Sequence, residues 1–502
     1  MKSNLTGIRP ALLLTLLALL SACATIHPQL ERAPEFALDP APIAQWSGLQ
    51  DFTQYDVFVP MNAGPAALAW RLRTLQAATR SIDLQTFIWQ DDTSGRALTR
   101  EIIAAADRGV KVRVLLDDSF LAHAEPALRA LAEHPLIDYR IYNPMGNRVG
   151  GAELRELQNL DEFSRINHRM HNKLLLVDGR VAIVGGRNQA DEYFGYRPDQ
   201  NFRDFEVMLT GPITANLASV FDLYWNDPWT LPIEDLADSE LTPPEIDAWL
   251  NEGVATFDHP EPVSQQEWQA LFAAGHLGSV DVIVDTPAGE DPAVDFPIQL
   301  ASAYIDLIEA AEKDLLLISA YFIPTPELTQ ALARAVDRGV EVRILTNSLG
   351  SNNHVTAHAA YARHRPALLR SGVQLYELRA DASTRAMYTF KSLENGILGL
   401  HAKLALFDDC CLMVGSSNLD PRSLRLNTEI GVVVDSPSLN QHLRQLLAVD
   451  LLPANAWRVT LTDDDKILWN GPGGEIETAP PASFFMRSES WFFGLLPLED
   501  QM

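Results

Sequence analysis

The 502-residue chain is poor in cysteine and in positive charge, and both shortages exclude classes of protein. It has three cysteines, and none of its Cys/His spacings is typical of a zinc site, so no zinc is expected; no cofactor is expected either. Lys and Arg number 39 against 66 Asp and Glu, a formal charge of -27. Nucleic-acid binding depends mainly on basic side chains that neutralise phosphates, so no nucleic-acid partner is expected.

The most apolar stretch near the N-terminus is too short to span a bilayer, which takes about 20 residues. Lys2 and Arg9 precede an apolar run from Ala11 to Leu20. This pattern is typical of a secretory leader, which we assign to residues 1–22. The leader predicts that the protein is exported from the cytoplasm.

The leader ends in LSAC (Leu20 to Cys23), which resembles the lipobox of bacterial lipoproteins. In those proteins the cysteine is lipidated and becomes the new N-terminus. More than one acyl chain gives a stable anchor, at about 0.8 kcal/mol per buried CH2. We therefore expect Cys23 to hold the protein on a membrane of the bacterial cell envelope, facing the periplasm. Ala24 after it favours the outer membrane by analogy with other lipoproteins. An ordinary signal peptide and an uncleaved anchor are the alternatives.

The other two cysteines, Cys410 and Cys411, are adjacent in the sequence. A disulfide between neighbours closes a strained ring, and both residues lie where a turn enters a strand. We interpret them as packing residues, with a redox role as the alternative.

The chain is an internal duplication. DRGVKVRVLL at 107–116 returns as DRGVEVRILT at 337–346, and the segment at 77–89 has a partner at 310–323. Each half alternates helices with nearly continuous Val, Ile and Leu strands, which indicates an α/β fold with a mixed sheet covered by helices. We expect two lobes packed about a pseudo-twofold axis, with one active site between them.

The repeat also sets the predicted domain boundaries. These are a leader at 1–22, a linker at 23–55, a first lobe at 56–230, an acidic, proline-rich insertion at 231–285, a second lobe at 286–455 and a C-terminal tail at 456–502. Some short helix is expected in the insertion. The tail ends in an apolar stretch at 490–502, which either docks on the protein body or contacts a membrane surface.

The pattern His-x-Lys-x-x-x-x-Asp occurs once in each half. The two copies comprise His171, Lys173 and Asp178, and His401, Lys403 and Asp408. Because side chains alternate along a strand, each histidine and lysine should share one face while the aspartate points into the scaffold. After a turn, each chain returns to small residues and an asparagine, with Asn188 in the first copy and Ser416 and Asn418 in the second.

This doubled set suits the cleavage of a phosphate diester. The lysines, Asn188, Asn418 and Ser416 would surround the nonbridging oxygens as charge builds on phosphorus. One histidine would attack phosphorus and form a phosphohistidine while the other protonates the leaving alcohol. A carboxylate on the far nitrogen would orient each histidine, and Asp204 and Glu429 are the candidates.

These residues closely resemble the phospholipase D superfamily, whose signature is this pair of motifs, over about residues 56 to 455. Segments 80–89, 185–195 and 416–436 are similar to bacterial cardiolipin synthases. The resemblance implies metal-independent transfer of a phosphatidyl group to a histidine and then to a glycerol hydroxyl of phosphatidylglycerol. It also implies His171 as nucleophile and His401 as acid. Phosphatidylethanolamine or phosphatidylglycerol as donor, and a need for an accessory protein, stay open.

Three alternatives accompany this hypothesis. A phospholipase D-type phosphodiesterase would give the same intermediate to water, and a nuclease is disfavoured by the acidity of the chain. A non-enzymatic envelope lipoprotein would not depend on His171. Within the first copy, Arg187 stands where the second has Ser417. It contacts either a phosphate or headgroup, or a carboxylate in a salt bridge.

Overall fold

The computed structural model describes residues 26–42, 46, 54–239, 241–252, 259–287, 299–390, 396–480 and 484–493. The leader at 1–22, Cys23 and the last nine residues of the C-terminal apolar stretch lie outside them. Within these ranges, no helix combines the length and the apolar character needed to cross a bilayer.

The strands follow the repeat along the chain. They are β1 (Asp56–Met61), β2 (Ser81–Thr86), β3 (Lys111–Asp117), β4 (Ile137–Tyr142), β5 (Leu174–Val177), β6 (Val181–Gly185), β7 (Gln200–Arg203), β8 (Glu206–Thr210), β9 (Thr230–Pro232), β10 (His276–Val284), β11 (Asp314–Ser319), β12 (Glu341–Asn347), β13 (Gln374–Leu378), β14 (Ile397–Leu400), β15 (Lys403–Phe407), β16 (Cys411–Gly415), β17 (Ile430–Asp435), β18 (Ala456–Leu461), β19 (Ile467–Gly471) and β20 (Gly474–Ile476).

Helices connect and cover these strands. They are α1 (Gly64–Ala77), α2 (Thr93–Asp107), α3 (Glu125–Leu131), α4 (Ala152–Gln158), α5 (Phe163–Ile166), α6 (Asp191–Phe194), α7 (Ile213–Trp225), α8 (Pro243–Asn251), α9 (Gln265–Ala273), α10 (Gln299–Ala310), α11 (Pro326–Asp337), α12 (Val355–Arg370), α13 (Pro421–Arg425), α14 (Pro437–Ala448) and α15 (Phe484–Phe493). Short 3-10 turns lie at Leu160–Glu162, Ile233–Asp235 and Ser383–Met387.

The predicted α/β duplication is confirmed by the strand order. Lobe 1 pairs its strands as β9-β4-β3-β2-β5-β6-β8-β1, with β2, β3 and β4 parallel and the other pairs antiparallel. Lobe 2 repeats this order as β18-β13-β12-β11-β15-β16-β17-β10. An antiparallel pair between β1 and β10 joins the lobes into an 18-stranded sheet.

The duplicated Arg-Gly pairs end equivalent helices. Gly109 follows α2 with a φ of 95° and Gly339 follows α11 with a φ of 92°. A residue without a Cβ adopts this left-handed conformation at little cost, which stops the helix and turns the chain into the next strand. Val110 and Val340, the first residues after the glycines, are buried at the start of β3 and β12.

The two lobes share a hydrophobic core. Leu176 and Val184 of lobe 1 belong to the same buried cluster as Leu406 and Val414 of lobe 2. Two further clusters lie within lobe 1 and within lobe 2. Because the shared cluster is completely buried, separating the lobes would expose it to water, which fixes the halves against each other.

Two of the predicted boundaries need correction. Residues 276–284, assigned to the insertion, form β10, which pairs with β1 of lobe 1 and β17 of lobe 2. The tail adds β18, β19 and β20 to the sheet of lobe 2. The linker docks on lobe 1, where Arg32 donates to the carbonyl of Thr230 and Ala41 donates to that of Asp178. Composition set these boundaries, and it does not show the partner strands that make β10 and β18 part of the sheets.

Cys410 and Cys411 form a vicinal disulfide at the turn between β15 and β16, instead of the two free packing residues expected from the sequence. Cys411 also packs partly against the core of lobe 2. The two sulfurs and Asp435 are close enough for a metal, but a sulfur within a disulfide is not a thiolate ligand. The absence of a metal therefore stays a prediction.

Candidate active site

The backbone brings the two motifs together by crossing between the lobes. Strand β14, just before His401, pairs in parallel with β7 of the other lobe, and the His401 N–H donates to the carbonyl of Arg203 at 2.9 Å. The equivalent contact in the other direction is a bridge between Met170 and Thr428, where the His171 N–H donates to the carbonyl of Thr428 at 2.9 Å. Each histidine is thus fixed beside the carboxylate segment of the opposite half.

Each motif histidine takes its carboxylate from the other lobe. The Nδ1 of His171 lies 2.9 Å from both carboxylate oxygens of Glu429. The Nδ1 of His401 lies 2.7 Å from Oδ2 of Asp204. Both carboxylates are completely buried, and the histidines are 7% and 5% exposed. The structure therefore places the two predicted orienting residues, but in crossed pairs that the sequence did not indicate.

The two lysines lie beside their own histidines. Lys173 donates through Nζ to the His171 carbonyl at 2.7 Å, and Lys403 also donates to the His401 carbonyl. The Nζ of Lys403 lies 3.0 Å from Nδ1 and 3.1 Å from Nε2 of the His401 ring. Both lysines are buried, so their charge is available to a phosphate with little screening by water.

The motif aspartates hold the scaffold, as predicted, but they do so from turns and not from the back of a strand. Asp178 and Asp408 follow β5 and β15 and have φ angles of 56° and 46°, which aspartate tolerates better than most residues. Asp178 accepts hydrogen bonds from the backbone N–H groups of residues 79–81 and from the indole of Trp46. Asp408 accepts from the N–H groups of residues 312–314.

The two asparagines differ in their surroundings. Asn188 donates to the hydroxyl of Tyr193 at 2.9 Å and accepts from the N–H of Ile88 at 3.2 Å. Asn418 instead lines the cavity described below. Ser416, the third predicted phosphate contact, donates its hydroxyl to Glu429. A phosphate contact thus stays a prediction for all three, and Ser416 positions the partner of His171.

Arg187 is a structural residue that contacts a carboxylate and backbone carbonyls, and this decides between the phosphate contact and the salt bridge considered above. Its buried guanidinium donates to the carbonyls of Met61 at 2.8 Å, Asn62 at 2.6 Å and Asp204 at 2.9 Å. It also forms a salt bridge with Glu206 at 3.3 Å. A salt bridge was one of the alternatives; these contacts also stiffen the segment that carries Asp204.

The charges at the two histidines are not equivalent. Burial raises the pKa of Glu429 to about 7, although Lys173 and Ser416 oppose the change. Burial acts in the same direction on Asp204, but His401, Lys403 and Arg187 outweigh it and hold the pKa of Asp204 below its usual range. The carboxylate beside His401 is therefore ionised at neutral pH, whereas the one beside His171 is only partly so.

Burial also lowers the pKa values of the basic groups. It lowers that of Lys173 to about 7 and that of Lys403 to about 8, against the attraction of the two carboxylates. Burial and the two lysines hold the pKa of His171 well below its ordinary value. An anionic phosphate entering this site would restore the positive charge, so the site is electrostatically suited to bind one.

A cavity of about 640 Å³ leads to His171. Lobe 1 contributes mainly apolar side chains to its lining, and residues 418–427 of lobe 2 contribute polar ones. The lining comprises Phe87, Ser119, Phe120, Met145, Leu157, Leu160, Phe163, Ile166, Asn167, Arg169, His171, Tyr321, Ile323, His354, Thr356, Ala357, Asn418, Asp420, Arg422, Ser423 and Asn427. Tyr193 and Phe202 pack against the ring of His401, with centroids 4.9 and 5.3 Å away. The two half-sites are thus enclosed differently.

The sequence reasoning missed a duplicated pair that positions the histidines. Asp117 ends β3 and accepts the backbone N–H of Met170 at 2.9 Å. Asn347 ends β12 and accepts that of Leu400 at 2.8 Å. Each therefore holds the residue just before a catalytic histidine. The signal was present, because both side chains are polar and occupy the same position after the two most similar strands of the repeat.

Known proteins resemble this chain over most of its length. The family described as "Cardiolipin synthase, PLD-like domain" matches residues 72–225 and 304–451. Cardiolipin synthase C of Escherichia coli K12 is 35% identical over 454 residues, which cover 88% of this chain and 95% of that protein. Cardiolipin synthase B of the same strain is 27% identical over 400 residues, 77% of this chain and 80% of that one.

A solved structure shows the same fold. The phosphatidylserine synthase of Haemophilus influenzae Rd KW20 superposes with a TM-score of 0.53 and 14% identity, over 81% of this chain and 90% of that one.

Proposed function

The chain belongs to the phospholipase D-like family of cardiolipin synthases, an enzyme family of phosphatidyl transfer, and we propose that it makes cardiolipin from phosphatidylglycerol and a phospholipid donor. The observation that carries the proposal is the crossed pair of dyads. His171 with Glu429 and His401 with Asp204 come from opposite lobes, which converge on one site.

In the first step, Nε2 of His171 attacks phosphorus of the donor. The bond from phosphorus to the headgroup oxygen breaks, and His401 gives its proton to that oxygen. In the second step, a glycerol hydroxyl of phosphatidylglycerol attacks the phosphohistidine, the P–N bond breaks, and His401 takes the hydroxyl proton. Lys173 and Lys403 stabilise the charge that builds on the nonbridging oxygens.

The assignment of roles is supported by the asymmetry of the carboxylates. Burial and the neighbouring lysines lower the pKa of both histidines, that of His401 to about 3, so the low pKa of His171 suits a neutral nucleophile but does not by itself separate the two roles. The proton carrier benefits from an ionised partner, which Asp204 provides to His401. Access also favours this order, because the cavity opens onto His171.

A lipid is the substrate that the cavity suits best. Its lobe 1 lining includes Phe87, Phe120, Leu157 and Phe163, which would contact acyl chains. Arg169 and Arg422 also line the cavity and would attract a lipid phosphate. A nucleic acid would need a basic, open groove, which the charge of -27 does not favour.

The test is lipid mass spectrometry of the purified protein with phosphatidylglycerol, in the presence and absence of phosphatidylethanolamine. We expect cardiolipin from the wild type, none from His171→Ala, and an unchanged yield from the exposed control His442→Ala. Dependence on phosphatidylethanolamine would identify the donor. Phosphatidic acid without cardiolipin would mean that water is the acceptor and that the enzyme is a hydrolase. Equal yields from His171→Ala and the wild type would refute the mechanism.

We propose in addition that Cys23 is lipidated and holds the enzyme on an envelope membrane. The support is the LSAC sequence, which lies outside the described residues. Metabolic labelling with an alkyne fatty acid should mark the wild type and not Cys23→Ala. Fractionation of inner and outer membranes would then decide the location. Equal labelling of the variant would refute the proposed anchor.

A further inference from the structure

Large apolar side chains are exposed at the mouth of the cavity. Most of them lie in residues 147–166, which we call the mouth segment. Between 42% and 69% of each side chain is accessible to water, and the set comprises Phe120, Val149, Leu154, Leu157, Leu160 and Phe163. Scattered apolar residues are normal on a protein surface, but a continuous patch of this kind marks an interaction site.

The patch is continuous with the cavity that leads to His171. Leu157, Leu160 and Phe163 line the cavity and yet remain half exposed. With Leu154 they recur every third residue through α4, the following 3-10 turn and α5, so they form one ridge. A molecule lying on this ridge would have direct access to the catalytic histidine.

The mouth segment is held rigidly by buried ion pairs beneath it. Arg148 donates to both carboxylate oxygens of Asp118 at 2.7 Å and to Glu125 at 2.7 Å. Arg155 forms a second ion pair with Glu125 at 2.5 Å. This network of ion pairs keeps the mouth segment from collapsing onto the body of the protein. The apolar ridge therefore projects from the surface.

Asn147 and Asn159 close the segment at its base. The Asn147 N–H donates to Oδ1 of Asn159 at 2.7 Å, and Nδ2 of Asn159 donates to the Asn147 carbonyl at 2.8 Å. The first part of the mouth segment, residues 147–159, is thereby held together as in a compact surface loop.

We propose that the mouth segment inserts its apolar side chains into the surface of a phospholipid bilayer, so that the cavity opens directly into the lipid. This inference rests on the proposed function, because the cavity has to face a membrane if its substrate is a membrane lipid. A donor or acceptor could then slide its headgroup to His171 while its acyl chains stay among their neighbours in the bilayer.

The contact is hydrophobic and not electrostatic. The chain carries a formal charge of -27, and the segment itself exposes Asp161, so anionic lipids would repel it. Burial of aliphatic and aromatic side chains at the headgroup boundary supplies the attraction instead. Because salt screens the repulsion from anionic lipids, binding to them should strengthen as salt is added, whereas binding by a basic surface would weaken.

The test uses Val149→Ser with Leu154→Ser in the full-length protein, because these two residues are exposed and do not line the cavity. The matched control is Val449→Ser with Leu452→Ser, the same change in composition at the exposed end of α14. Turnover is measured on phosphatidylglycerol vesicles and on short-chain phosphatidylglycerol kept monomeric. We expect the mouth variant to lose about tenfold on vesicles and less than twofold on monomers, and the control to change on neither.

Hydrogen exchange gives a readout that does not depend on activity. Amide exchange in residues 149–166 should slow when vesicles of phosphatidylglycerol and phosphatidylethanolamine are added, and it should slow less in the mouth variant. Unchanged exchange together with full vesicle turnover by the mouth variant would overturn the proposal and leave the ridge to a protein partner. A wild type that turns over neither lipid form but shows the slowed exchange would refute the proposed function and support the membrane contact.

Discussion

Replacement of Asp204 by asparagine should remove proton donation while leaving nucleophilic attack in place. Asparagine has the shape of aspartate and can still accept the backbone N–H of Phe205, which now reaches Oδ1 at 2.7 Å. It lacks the negative charge that faces Nδ1 of His401 at 2.7 Å. The imidazolium form of His401 thus loses its main support, whereas His171 keeps Glu429.

The size of the effect follows from the electrostatics of a buried pair. Two opposite charges about 4 Å apart attract by about 4 kcal/mol at an effective dielectric constant of roughly 20. At 1.36 kcal/mol per unit, this corresponds to a fall of about three units in the pKa of His401. Protonation of the leaving alcohol should therefore become about 1000-fold slower.

A comparison of leaving groups isolates this step. The glycerol headgroup of phosphatidylglycerol is a poor alkoxide leaving group and needs the acid. The p-nitrophenolate of a phosphatidyl p-nitrophenyl ester is a stable leaving group and does not. In rapid-quench experiments, Asp204→Asn should lose about 1000-fold on the first lipid and less than tenfold on the second. Glu429→Gln, the equivalent change beside His171, should be impaired on both.

Two results would refute this reasoning. Equal losses of Asp204→Asn on both lipids would mean that His401 does not donate the proton. If Glu429→Gln, and not Asp204→Asn, regained its activity on the nitrophenyl ester, the two histidines would have the opposite roles.

Three further predictions concern stability. Asp178→Ala removes a buried acceptor of several hydrogen bonds and should cost about 3 to 5 kcal/mol in urea unfolding, against about 1 to 2 kcal/mol for the more exposed Asp408→Ala. Arg187→Lys should lower stability by about 2 to 4 kcal/mol without changing KM, because the guanidinium holds carbonyls and not substrate; a large rise in KM would contradict this. Burial raises the folded-state pKa of Glu429 from 4.5 to about 7, so its contribution to stability falls as pH rises through that interval. Glu429→Gln should thus unfold at pH 8 no more easily than the wild type, and clear destabilisation would count against the raised pKa.

Local sequence was enough to predict the duplication and to single out the histidines and lysines that the structure brings together. The repeated Arg-Gly helix ends and the two His-x-Lys motifs are short-range signals, and each reappears in the structure as a helix stop or a histidine beside a lysine. Asp204 and Glu429 were identified from their positions soon after Asn188 and Asn418, although the two spacings differ. Such patterns can be read because the residues that carry them are neighbours along the chain.

The features that were missed depend on contacts distant in sequence. Strand β10, which was assigned to the insertion, became recognisable as part of the sheet only through its partners β1 and β17. The aromatic packing against the His401 ring depends on Tyr193, which lies nine positions before its neighbour Phe202 and nearly half the chain from the histidine. No periodicity in the sequence indicates which of the two histidines such an aromatic side chain will pack against.

The crossed dyads explain why both lobes are needed to form the site. Within either lobe alone, His171 or His401 would lack its carboxylate, and Glu429 or Asp204 would be left without its imidazole partner. Two weak interactions, the bridge at Met170 and Thr428 and the β7–β14 pair, set this crossing, and the shared apolar core fixes it in place. Because an unpaired buried carboxylate is strongly destabilising, the same contacts that assemble the catalytic pairs also oppose separation of the lobes. Catalytic geometry and the interface between the lobes are therefore a single energetic unit, and changes in the lobe interface should alter the histidine pairs before they unfold the protein.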